Sequence, residues 1–200
     1  MKSIRLPLIT FLLTTAASLA ARAADDFVVE PGFVALFNGK DLTGWCYTEG
    51  NKPDGAITDK FDGKMESIDA RYSVANGNFI VHPKIPRQIE KIWTQQQWTK
   101  DFVLRLEFRA AYNADSGIYI RGPQLQCRDY LVAGPYKELK KYKAQDWNFI
   151  EITVTGGVAH CVCNGEVLED ALKIPAAGPL GFEGDRGMME YRRVRIKELP

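Results

Sequence analysis

A small set of side chains in this sequence could do chemistry on a neutral, hydroxyl-rich ligand. Glu107 and Glu183 are carboxylates able to take or give a proton, Arg121 is a fixed cation, and Tyr119 is a phenol that can stack or donate. Gln124 and Gln126 cannot act as bases, but amides suit neutral hydroxyls and fix a ligand's orientation. Trp93, beside Thr94 and Gln95, offers an aromatic platform. Asp129 completes the candidate binding set, although an Asp ending a strand ordinarily forms the turn that follows. If Glu107 and Glu183 approached within about 5–9 Å, hydrolysis by two carboxylates would be open to them. The plainer fate of Glu107 and Arg121 is a cross-strand ion pair worth under about 1 kcal/mol.

Most of these residues come from one stretch, Phe102 to Asp129. Phe102, Leu104, Leu106 and Phe108 alternate with Arg105, Glu107 and Arg109. After an Asn/Asp/Ser/Gly corner, Ile118 and Ile120 alternate with Tyr119 and Arg121, and Leu125 and Cys127 with Gln124 and Gln126. Side chains on a strand project to opposite faces in turn, so each strand has an apolar and a polar face. The expectation is that these polar faces form one shared hollow holding Glu107, Arg121 and Gln126.

Strand signals run through the rest of the chain. Asn38-Gly39, Asn76-Gly77, Gly156-Gly157 and Asn164-Gly165 interrupt alternating segments and read as turns between paired strands. A sustained helical period is absent, and only residues 135–146 have room for a helical turn. Many short antiparallel strands predict an all-β protein, a two-sheet sandwich or jelly roll. The polar stretch from Glu49 to Arg71 reads as a long loop able to rim one sheet face.

Lys2 and Arg5, the apolar run Leu6–Ala20, and Ala21-Arg22-Ala23 read as an export signal at 1–23, cleaved before Ala24, leaving one domain at 24–200. The expected location is therefore periplasmic or extracellular, with no membrane attachment after cleavage. Removing Lys2, Arg5 and Arg22 from the 26 basic residues leaves 23 against 25 acidic ones, which does not suit a nucleic-acid partner. Cys46, Cys127, Cys161 and Cys163 could pair after export, with Cys46 or Cys127 bridging to Cys161 or Cys163, or all four could be buried thiols. A lone C-x-C with two histidines is not a metal pattern, and neither a cofactor nor a metal is expected. His82 and His160 read as surface or packing residues.

The segments FVALFNGKDLTGW, WTKDFVLRLEFRA, DSGIYIRGPQLQCRD, Asp146-Trp147-Asn148 and GPLGFEGDRGMMEYRRVRIKEL resemble, in order, the 3-keto-disaccharide hydrolase domain family, formerly domain of unknown function 1080. The resemblance implies a concanavalin A-like fold of lectin/glucanase type, export, and a carbohydrate partner. It also implies cleavage of sugars oxidised at carbon 3, by proton abstraction at C2 and elimination at C1. On that reading Glu107 is the base, Arg121 steadies the enolate, Glu183 is a further carboxylate, and Tyr119, Gln124, Gln126, Asp129 and Trp93 hold the sugar. A non-catalytic carbohydrate-binding module is the alternative. The chain departs from the family in two places: many relatives carry Glu where Gln124 stands, and others carry Gln where Glu183 stands.

Overall fold

The computed structural model describes residues 27–129 and 135–200; the leader expected at 1–23 lies outside them. The strands in chain order begin with β1 (Val34–Ala35), β2 (Trp45–Thr48), β3 (Ile57–Lys60), β4 (Tyr72–Ala75) and β5 (Asn78–Val81). Next come β6 (Glu90–Thr94), β7 (Phe102–Ala110), β8 (Asp115–Ile120), β9 (Gln124–Arg128) and β10 (Asn148–Thr155). The last are β11 (Val158–Cys163), β12 (Glu166–Lys173), β13 (Leu180–Gly184) and β14 (Met189–Glu198). Eight of them form one sheet in the order β12-β11-β10-β7-β14-β5-β4, with β1 on β14. The other six form a second sheet, β3-β2-β6-β13-β8-β9. All pairings are antiparallel, and the two packed sheets make the expected β-sandwich.

Alternation dictates the packing. On β7, Phe102, Leu104, Leu106 and Phe108 are buried while the residues between them are half-buried, and β10 repeats the pattern with Ile150, Ile152 and Val154. From the second sheet, Trp45, Ile92, Ile118, Ile120, Leu125 and Phe182 point into the same core. Phe182 stacks on Tyr191 across the sheets at 4.1 Å between ring centroids. Each buried aromatic of this size removes roughly 150–250 Å² from water, so the core is dominated by a few rings. The Asn-Gly and Gly-Gly turns at 76–77, 156–157 and 164–165 close the hairpins β4–β5, β10–β11 and β11–β12. Residues 135–146 contain one 3-10 turn, Pro135–Glu138. Among the described residues no helix is long and apolar enough to cross a membrane.

One connection differs from the sequence expectation. β7 lies in the eight-stranded sheet and β8 in the six-stranded one, so residues 111–114 form an arch between sheets rather than a hairpin. Asn113, at a φ of +62°, makes the turn, and Ala114 N–H donates to Ala111 O at 3.0 Å. The polar faces of β7 and β8 are therefore the two opposite outer faces of the sandwich. The expected common hollow of Glu107, Arg121 and Gln126 does not form.

Candidate active site on the six-stranded sheet

Register places the outward side chains of the second sheet in rows. Cys46 stands beside Trp93, Trp93 beside Gly181, Gly181 beside Tyr119, and Tyr119 beside Gln124. The next row sets Lys91 beside Glu183 and Gly117 beside Gln126. Two glycines make room in these rows. A Cβ on Gly181 would stand 2.6 Å from the Trp93 ring, and one on Gly117 would run into the Gln124 amide, so both side chains lie down over bare backbone. The Trp93 and Tyr119 rings tilt together at 5.1 Å, and the Lys91 ammonium sits 4.9 Å from the Tyr119 ring.

Glu183 is the centre of this face and is only 6% exposed although it points away from the core. Its carboxylate accepts the Tyr119 hydroxyl and is reached by the Gln124 amide. Burial raises its pKa above the ordinary carboxylate range, and Asp185 adds to the rise; Tyr119, Gln124 and Lys91 oppose it without reversing it. Burial also pushes the Tyr119 phenol up, reinforced by the carboxylate it bonds, so Tyr119 keeps its proton and donates it. Beneath, the Ser116 hydroxyl donates to the Glu183 backbone carbonyl at 2.6 Å and meets the Tyr191 hydroxyl at 2.8 Å. These bonds fix the strand from which Glu183 projects. A high-pKa carboxylate hydrogen-bonded to a phenol can accept a proton and pass it on.

The other candidates fall as follows. Gln126 points outward on β9 and donates to Asp115 at 2.6 Å and to Ser116 O at 2.8 Å. Trp93 is 1% exposed, which leaves no ring face for stacking a sugar, while its indole N–H is buried without an acceptor among the described residues. Part of the Glu49–Arg71 segment crosses toward this region: the Pro53 ring would stand 3.8 Å from a methyl on Gly122. Asp129 is fully buried and accepts Asn113 N–H at 2.9 Å, a turn contact behind the sheet face.

Glu107 and Arg121 lie elsewhere. Glu107 projects from the outer face of the eight-stranded sheet, held by Arg192 at 2.7 Å and Arg193 at 2.6 Å. A bulge in β14, with Arg193 at a φ of +53°, turns both consecutive arginines toward it. Arg121 follows β8 with a φ of +54°, which takes it out of strand alternation. It is 3% exposed; its guanidinium bonds Lys100 O and Pro175 O and lies 5.2 Å from the Phe102 ring. It ties together the end of the sandwich. A cleft of about 710 Å³ along β14 lies on this other side, lined by Phe27, Lys40, Arg192, Arg193 and Arg195. Arg192 and Arg193 are paired there with Glu107, and Arg195 with Glu30.

Sequence reasoning missed Lys91, whose only signal was the alternation of Lys91 and Trp93 with Ile92. It also missed a third outward row of Arg87, Asp185, Asp115, Arg128 and Arg186. His82 meets the Ser73 hydroxyl at 2.7 Å and His160 meets Asp170 at 3.1 Å, neither of them near Glu183 in the strand register. All four cysteines are free and buried. The described residues contain no cluster of His, Cys, Asp or Glu able to hold a metal ion.

The family model for 3-keto-alpha-glucoside-1,2-lyase-like domains matches residues 32–197. The chain belongs to this family. No curated protein gives a match. A structure from Parabacteroides distasonis, described provisionally as a glycosyl hydrolase, superposes with a TM-score of 0.65 at 17% identity, covering 86% of this chain and 99% of that one. A second from the same organism, with the same description, gives 0.53 at 18% identity, covering 64% and 90%. At these identities the likeness establishes the shared sandwich. Gln124 and Glu183 are side chains that touch.

Proposed function

We propose that this protein cleaves 3-keto-glycosides by proton abstraction at C2 and elimination at C1, with Glu183 rather than Glu107 as the base. The observation that carries the reading is the nearly buried Glu183 carboxylate, raised in pKa and joined to the Tyr119 phenol on an outward sheet face. A C3 ketone acidifies the C2 proton. Glu183 takes that proton, and the electron pair moves into an enolate whose oxygen is stabilised by a nearby cation, for which Lys91 is the candidate. The enolate collapses, restoring the C3 carbonyl, forming C1=C2 and breaking the bond from C1 to the leaving oxygen. The proton held by Glu183 passes through Tyr119 to that oxygen. Tyr119 gives one proton as it receives another, so its high pKa is no obstacle. Water adding to the unsaturated product would complete hydrolysis. Gln124 and Gln126 offer amide groups to the sugar hydroxyls.

The leader-like residues 1–23 support action outside the cytoplasm, which cell fractionation tests. The cleavage reading is tested with the chain from Ala24 onward and a 3-keto-glucoside. Aglycone release with a primary isotope effect from deuterium at C2, and no attack on the parent glucoside, is expected. Tight binding without turnover across a panel of 3-keto-glycosides would replace the enzyme by a carbohydrate-binding module.

A further inference from the structure

We infer that the leaving group taken by this site carries a carboxylate, as a uronic-acid residue does. This rests on the cleavage reading for where the sugar lies and on the third outward row for the charge. The two rows around Tyr119, Gln124 and Gln126 offer neutral groups, apart from Lys91 and Glu183 at the reacting centre. The next row is entirely ionic. Asp185 follows Glu183 by two residues, so its side chain leaves the same face about 7 Å further along, within reach of the next residue of a bound disaccharide. Arg87 grips Asp185 with two parallel hydrogen bonds. Asp115 is bordered by Arg128 at 3.3 Å and Arg186 at 3.7 Å.

Three guanidiniums against two carboxylates leave the row one positive charge in excess. The excess is poorly consumed. Asp115 Oδ1 already takes the Gln126 amide at 2.6 Å, and Arg128 Nε, although near the same oxygen, is buried and makes no hydrogen bond. Arg186 Nε donates to Asn113 O at 3.0 Å, but its Nη2 stands 3.7 Å from Asp115, beyond hydrogen-bond length, and the side chain remains 42% exposed. Arg87 is 58% exposed beyond its pair. Guanidinium N–H groups are strong donors to a carboxylate, so an incoming acid meets the exposed parts of Arg186 and Arg87, with Arg128 adding charge from behind.

The test is calorimetric titration of the full mature chain with a panel of glucosyl-glucuronic acid disaccharides differing in linkage, each beside its methyl ester. These sugars are not oxidised at C3, so binding is read without turnover. At low salt the acid of the accepted linkage should bind at least about tenfold more tightly than its ester. The ratio should fall toward one in high salt, and also in Arg186→Gln and Arg128→Gln; the exposed Arg186 variant serves if Arg128→Gln does not fold. Equal affinity for acid and ester overturns the inference. So does binding of neither at millimolar concentration, or an acid preference that survives both substitutions. Failure to cleave any 3-keto-glycoside, with the acid preference intact, would instead remove the cleavage reading and leave a uronate-binding face.

Discussion

Glu183→Gln separates the chemistry of this site from its architecture. Glutamine keeps the shape of the side chain, and its carbonyl oxygen still accepts the Tyr119 hydroxyl, so the hydrogen bond beneath the reaction is preserved. What disappears is the ability to accept a proton from C2. Loss of a positioned general base costs about 10²–10⁴ in rate, or about 3–5 kcal/mol of barrier at about 1.4 kcal/mol per factor of ten. Stability should move the other way. Burial holds the Glu183 pKa above its unfolded value of 4.5, so the folded protein binds the proton more readily than the unfolded chain. The stabilising contribution of this group is complete below 4.5 and fades as pH rises through the higher folded value. Above that folded value wild type holds a charge in a buried place, whereas the amide variant does not. Glu183→Gln should therefore be slow in steady-state assays of aglycone release, yet melt higher than wild type at pH 8, with the two melting curves converging in acid. The acid limb of kcat/KM in wild type should likewise lie above the ordinary carboxylate range. Because Gln124 touches the same carboxylate, the double variant Gln124→Glu/Glu183→Gln should recover at least about tenfold over the single one, part of the usual contribution of a general base. A Glu183→Gln enzyme within about fivefold of wild type would refute the assignment of the base, whatever its melting temperature.

Glu107→Gln should leave release within about threefold of wild type and lower stability in urea titrations by about 1–2 kcal/mol, because Arg192 and Arg193 lose a shared, largely buried carboxylate. Loss of turnover there with intact folding would return the base to the other sheet. Gly181→Ala brings a methyl to 2.6 Å from the Trp93 ring and 2.8 Å from Ile92 O, and should cost about 1–3 kcal/mol in thermal melts while raising KM. An unchanged melting temperature would mean that Trp93 is not held against Gly181. The Arg195 hydrogen bond holds Glu30 down at about 2, so this pair stabilises the fold above 4.5 and loses its contribution as pH falls toward 2. Glu30 is 37% exposed, so after screening Glu30→Gln should cost only about 0.5 kcal/mol at pH 7 and flatten the acid side of the stability curve. Parallel curves for variant and wild type would exclude this contribution.

Within each strand the sequence was a reliable guide. The alternation from Phe102 to Ala110 marks which side chains enter the core, and Asn76-Gly77, Gly156-Gly157 and Asn164-Gly165 mark hairpins, because both signals are local; Asn38-Gly39 does not, since β1 pairs with β14 and β2 with β3 and β6. Sheet membership is not local. The corner around Asn113 reads like a hairpin, yet its arch sends β8 to the other sheet, where Leu180, Gly181 and Phe182 pair with it. Alternation names an outward face without saying which outward face of the sandwich, and that ambiguity placed Glu107 beside Tyr119. Arg121 failed for a second reason: a positive φ after Ile120 breaks the period of two that assigned its direction. Lys91 was invisible because its neighbours across the sheet come from residues 180–184, far away in sequence.

The face itself sets where the Glu183 carboxylate can lie. Gly117 has no side chain, and Glu183 from β13, together with Gln124 and Gln126 from β9, converges over the strand that carries it. A carboxylate on either flank reaches the same small volume, beside the same Tyr119 hydroxyl. An alanine at 117 would fill that volume and push the flanking amide away. The sheet therefore defines a place for negative charge, which Glu183 fills with Gln124 beside it. The neighbouring phenol, the glycine floor and the register of β13 against β8 hold that place.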